Sequence, residues 1–75
     1  MELKSKYMES RYVSRYVLTT NGYLIRNKKD KGNLGCIEYY KPYKSIAFFP
    51  DPNTVFSDDC LQDLVNFLKE LNGGE

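Results

Sequence analysis

The side chains able to do chemistry in this chain are lysines, arginines, tyrosines and a handful of carboxylates, with no histidine among its 75 residues. Without an imidazole there is no His-based general base, no catalytic triad and no His-ligated metal. Cys36 and Cys60 fit no close-spaced metal motif, and two thiolates alone do not complete a zinc site. Gly22, Gly32 and Gly35 are not followed by the Gly-Lys-Ser/Thr of a phosphate-cradling loop. Asp58, Asp59 and Asp63 resemble a carboxylate cluster for a divalent ion, but they open a helix, where acids complement the dipole and face solvent. The inventory predicts a non-enzymatic protein with no catalytic, metal or cofactor site and no small-molecule substrate.

What remains is binding. Arg11, Arg15, Arg26, Lys28, Lys29, Lys31, Lys41 and Lys44 interleave with Tyr12, Tyr16, Tyr23, Tyr40 and Tyr43. Cations neutralise phosphates and tyrosine faces stack on bases, so nucleic acid is one reading of this pattern. Against it stand a net charge of only +1 and the lack of any zinc-finger spacing or RNP-type motif. Protein binding is the preferred reading. Seven tyrosines exceed what so small a core can bury, and tyrosine is a rigid, amphipathic contact residue. Strand propensity accounts for part of them. The charge is also split: residues 1–44 carry a net +6 and residues 45–75 a net −5, a polarity that can steer a charged partner or favour self-association.

The elements that must position these groups begin with a C-terminal helix expected over about 58–72. Leu61, Leu64, Val65, Leu68 and Leu71 recur at helical spacing and define its apolar stripe. Ser57 supplies the N-cap, Asp58 and Asp59 the acidic first turn, and Asn72-Gly73-Gly74 the C-cap. Phe56 is placed to staple against Leu61. Upstream, β-branched and aromatic runs predict strands at about 12–20, 23–27, 34–40 and 44–49. Asn21-Gly22 signals a hairpin between the first two, and Lys41-Pro42-Tyr43 a turn between the last two. Residues 1–10 read as an N-terminal arm, frayed or forming a short helical turn.

The expected fold is therefore α+β: a three- or four-stranded antiparallel meander over residues 11–75 with the helix packed on one face. At 75 residues, one core supplies only about 3–5 kcal/mol, which makes a dimer or a partner-bound state a real prospect. No apolar run is long enough to span a bilayer, and the first residues lack a secretory h-region, so a cytoplasmic protein with no membrane contact is expected. There the two cysteines stay reduced, with a Cys36–Cys60 bridge as the alternative.

Strand alternation assigns Ile25, Ile37, Ile46 and Phe48 to the helix-covered face, because that choice keeps Glu38 out of the core. The other face then carries Tyr40, Phe49 and Leu24 or Arg26, with Tyr43 and Lys44 at its edge. The candidate binding surface is Arg26, Tyr40, Tyr43 and Lys44, with Lys28, Lys29 and Lys31 as electrostatic support.

Three stretches also carry a resemblance. They are Leu34-Gly35-x-Ile37-x-Tyr39-Tyr40-x-Pro42-Tyr43-Lys44, then Phe48-Phe49-Pro50, then Val55-Phe56-Ser57-x-x-Cys60-Leu61 with Phe67-Leu68-x-x-Leu71-Asn72. In these the segment from Asn21 to Asn72, about two-thirds of the chain, resembles a group of short uncharacterised proteins of phages and other mobile elements. The resemblance implies a sheet-plus-helix fold and a phage-like origin, and no catalytic residue. Where that group carries tryptophans between its last two strands, this chain has Tyr39, Tyr40 and Tyr43.

Overall fold

The computed structural model describes residues 2–13 and 22–73. Four strands, β1 (Met8–Val13), β2 (Gly22–Asn27), β3 (Asn33–Tyr40) and β4 (Ser45–Pro50), are followed by helix α1 (Asp58–Leu71). The strands pair antiparallel in sequence order, so β1 and β4 are the two edges. This is the expected α+β meander with a C-terminal helix. Among the described residues no helix is long and apolar enough to cross a membrane.

The first strand departs from the expected 12–20. Tyr12 pairs with Tyr23 and Val13 with Gly22, so Gly22 is a strand residue paired across the ladder and not a turn position. Gly22 stands inside the ladder, where a Cβ would come within 2.4 Å of the Ile37 carbonyl oxygen. Close backbone approach, not a positive φ, is what requires glycine there. Of the expected strand, residues 14–20 lie outside the described residues, as does Asn21.

The expected frayed arm is structural where it is described. Leu3 and Met8 are buried with Ile25, Ile37, Leu64 and Phe67 in the core. Leu3 donates its backbone N–H to the Ser10 hydroxyl at 2.9 Å, and Met8 donates to the Ser5 hydroxyl at 3.2 Å. Mixed charges at Glu2, Lys4 and Lys6 hide this role in the sequence, because the apolar anchors are too sparse to show a period.

The face assignment holds. Ile25 and Ile37 are fully buried, and Ile46 and Phe48 pack against them from β4. One extra residue, Leu34, interrupts the β2–β3 ladder between the pairs Ile25–Gly35 and Arg26–Asn33. Such a bulge bends its strand and increases the twist. Next to it, a Cβ on Gly35 would meet the Phe49 carbonyl oxygen at 2.5 Å and the Phe48 ring at 2.8 Å.

The helix is rotated from the expected stripe. Leu64 and Phe67 are its buried residues, with Cys60, Leu68 and Leu71 packed beside them. Leu61 and Val65, expected in the core, remain 49% and 42% exposed. The rotation follows from Phe67, whose ring meets Tyr23 edge-on at 5.2 Å and is the largest side chain fully enclosed among the described residues. The ring gains full burial and an edge-on aromatic contact, while Leu61 and Val65 still keep about half of their surface covered. Phe56 stacks edge-on against Phe48 at 5.5 Å. The caps are as expected: the Ser57 hydroxyl accepts from the Cys60 N–H at 3.3 Å, and Gly73, at φ 76°, closes the C-terminus by donating to the Glu70 carbonyl. No disulfide joins Cys36 and Cys60, which lie on opposite sides of the sheet.

Candidate functional site

Register fixes what the second sheet face presents. Arg11, Leu24, Cys36 and Phe49 form one cross-strand row, and Glu9 with Arg26 forms another. No element among the described residues covers this face. Leu24 and Arg26 share it, being two residues apart on one strand.

The candidate residues fall into two groups at opposite ends of β3. The first surrounds Glu9. Arg26 donates to Glu9 Oε2 at 2.7 Å, and Lys31 Nζ contacts both carboxylate oxygens at 3.1 Å. The hydrogen bond from Lys31 does most to hold the Glu9 carboxyl below its ordinary range; desolvation opposes it, and the positive charges of Lys31 and Arg26 with the Arg26 hydrogen bond add to the lowering. Lys28 Nζ donates to the Ser5 carbonyl at 2.6 Å. The turn itself is self-bonded: Asn27 Oδ1 accepts from the Lys29 N–H, and Asp30 Oδ1 from the Gly32 N–H, both at 2.8 Å. Three of the basic residues expected to support binding are thus engaged in holding the β1–β2 end of the sheet. Lys29 is exposed in the same turn.

The second group is an aromatic corner. Lys41–Tyr43 form one turn of 3-10 helix that Pro42 pre-sets, and Lys44 ends it in the left-handed conformation at φ 52°. This reversal folds Tyr43 back onto Tyr40, ring centroids 4.8 Å apart and nearly perpendicular. Tyr40 in turn meets Phe49 edge-on at 5.6 Å. Tyr43 keeps 73% of its surface exposed, with Lys41 and Lys44 exposed beside it. At about 3.3 Å per residue, β3 separates this corner from the Glu9 cluster by roughly 20 Å. Arg26 and the lysines of the turn therefore do not join Tyr40, Tyr43 and Lys44 in one patch.

A concavity that the sequence did not signal lies on the helix side. Lys4, Ser5, Lys6 and Tyr7 face Asp59, Gln62 and Asp63 across an open groove of about 500 Å³, one wall basic and the other acidic. Among the described residues no group of three or more His, Cys, Asp or Glu side chains is placed to hold a metal ion. Comparison with models of known protein families, with curated proteins and with solved structures finds no match.

Proposed function

We propose that this protein acts by binding another protein, as a non-enzymatic regulatory or inhibitory adaptor, and that its contact surface is the Tyr40–Tyr43–Phe49 corner of the open sheet face with Lys44 at the rim. The observation that carries the reading is Tyr43: a large aromatic held by a neighbouring ring yet left mostly in solvent. Its rotamer is restrained before any partner arrives, so little side-chain entropy remains to be lost on contact. Lys44 stands exposed beside it and puts a cation at the rim; its left-handed backbone, shared by Lys31 at φ 62°, closes the turn and does not single out this corner. Nucleic acid binding is the weaker reading, because Arg26, Lys28 and Lys31 are engaged within the molecule and lie far from the exposed rings.

The test is affinity capture from host lysate followed by titration of each purified candidate against the wild-type protein and Y43A. A specific partner loses most of its affinity with Y43A while the melting temperature stays within a few degrees of wild type. Equal binding by both proteins sinks the reading. Fluorescence anisotropy with single- and double-stranded DNA and RNA across a salt series tests the weaker reading. Saturable, steeply salt-dependent binding that falls when Lys28, Lys29 and Lys31 become Ala would put nucleic acid first.

A further inference from the structure

Sheet edges present unpaired backbone groups, and β4 is an edge strand with no charged residue in Ser45–Pro50 to discourage pairing. Its closure is achieved by one side chain from another element. The Ile46 N–H donates to Asn72 Oδ1 at 2.8 Å, and Asn72 Nδ2 donates to the Ile46 carbonyl at 3.1 Å. The carboxamide thus meets Ile46 as a neighbouring strand's peptide group would. Both backbone groups of Ile46 point away from β3, and antiparallel alternation turns those of Phe48 and Pro50 the same way. Pro50 has no N–H to offer. The same carboxamide donates to the Leu68 carbonyl at 3.0 Å, tying the end of α1 to the strand.

Asn72 is followed by Gly73, which has no side chain to hinder attack of its backbone nitrogen on the carboxamide carbon. In that reaction the Gly73 nitrogen loses its proton and bonds to Cγ of Asn72, and ammonia leaves with the proton. The resulting succinimide is opened by water to aspartate or isoaspartate. The sum is one water consumed and one ammonia released, with no redox change. In the folded protein both participants are engaged, the carboxamide as above and the Gly73 N–H with the Glu70 carbonyl at 3.1 Å. The product carboxylate has no donor for the Ile46 and Leu68 carbonyls and faces both with negative charge.

We propose that Asn72 is the latch of the β4 edge, and that its deamidation opens this edge to antiparallel pairing with β4 of a second copy. A two-fold axis at Ala47 sets Ile46 against Phe48 of the other copy in hydrogen-bonded pairs and Ala47 against Ala47. The same register brings Lys44 within one position of Asp51 of the other copy, opposite charges at each end of the pairing. A second copy is the occupant because the strand is uncharged, self-complementary about its small central residue, and flanked by that charge pair.

The test compares wild type with N72D by hydrogen exchange of assigned amides and by sedimentation over a concentration series. In wild type the Ile46 N–H exchanges slowly and the protein is a monomer. In N72D the Ile46 N–H exchanges at the rate of a loop amide such as that of Val55 at low concentration, Ile25 and Ile37 stay protected, and a dimer forms as concentration rises. A47K added to N72D sets two lysines opposite each other and abolishes that dimer. Fast exchange at Ile46 in wild type, an unchanged rate or a monomer throughout in N72D, or a dimer that survives A47K would each overturn the proposal. Should N72D lose cooperative melting, N72S takes its place with the same readouts, since its hydroxyl is too short to bridge Ile46.

Discussion

Glu9 shows how a single residue sets a condition on stability. Its folded carboxyl titrates below the ordinary range, chiefly through the Lys31 hydrogen bond, while in the unfolded chain it titrates normally. A depressed folded value means that the stabilisation is fully present above the ordinary carboxylate range and is lost as pH falls through the folded value. Glu9→Gln is expected to be less stable than wild type at pH 7, with the two denaturation curves converging toward pH 3; a gap independent of pH would disprove the linkage. Lys44 gives the opposite kind of residue. Replacing it with glycine removes the left-handed strain at φ 52° and should stabilise the fold by about 1 kcal/mol, less the added chain entropy of glycine, while weakening partner binding. Denaturant titration and a binding isotherm on the same sample check both halves. At Gly35 two effects add: the backbone sits at φ 157°, which L residues rarely adopt, and Gly35→Ala drives a methyl into the Phe49 carbonyl and the Phe48 ring, which should cost about 1–3 kcal/mol from overpacking alone.

Elements are where sequence and structure can be compared most directly, and the helix gives the sharpest test. Leu64→Ala should cost about 2–5 kcal/mol, enough to unfold much of so small a domain. Leu61→Ala and Val65→Ala, half-exposed on the flank, should stay within about 0.5–1 kcal/mol. Equal losses at Leu61 and Leu64 in urea titrations would return the helix to the stripe its leucines suggest. The helix ends, the order of strands and the partition of Ile25, Ile37, Ile46 and Phe48 from Tyr40 and Phe49 were legible, because caps and two-residue alternation are local signals. Rotation of the helix by part of a turn was not, since leucine spacing admits two overlapping stripes and only the space beside Tyr23 selects the one containing Phe67. Nor was the N-terminal segment leading into β1, where Leu3 and Met8 are anchored by serine hydroxyls rather than by a run of apolar residues. Of the candidate site, Tyr40, Tyr43 and Lys44 come together as their turn implied. The turn lysines and Arg26 do not, because they lie at the other end of β3, where Glu9 holds Arg26 and Lys31 and the Ser5 carbonyl holds Lys28.

At the scale of the whole molecule the charge split becomes a partial layering, since Lys4 and Lys6 face Asp59 and Asp63 on the helix side. The helix face carries Asp58, Asp59, Asp63 and Glu70 against Lys69, while Lys41 and Lys44 stand at the aromatic corner. The molecule is 22 Å across its shortest axis. At 0.15 M salt the screening length is about 8 Å, so a partner approaching the corner senses its lysines and little of the helix; at 0.01 M it is about 30 Å, and both layers are felt. If the partner surface is acidic, association should accelerate as salt is lowered from about 0.5 M to 0.1 M and then level off, as the helix carboxylates begin to oppose the lysines. Lys44→Glu should slow association several-fold and flatten that dependence, leaving dissociation little changed, because a rim charge acts mainly before contact. Asp63→Asn on the far layer should do nothing at 0.15 M and should extend the acceleration at 0.01 M. Stopped-flow association rates for the three proteins decide it: an effect of Asp63→Asn at 0.15 M as large as that of Lys44→Glu would mean that the partner sits on the helix and not on the open sheet.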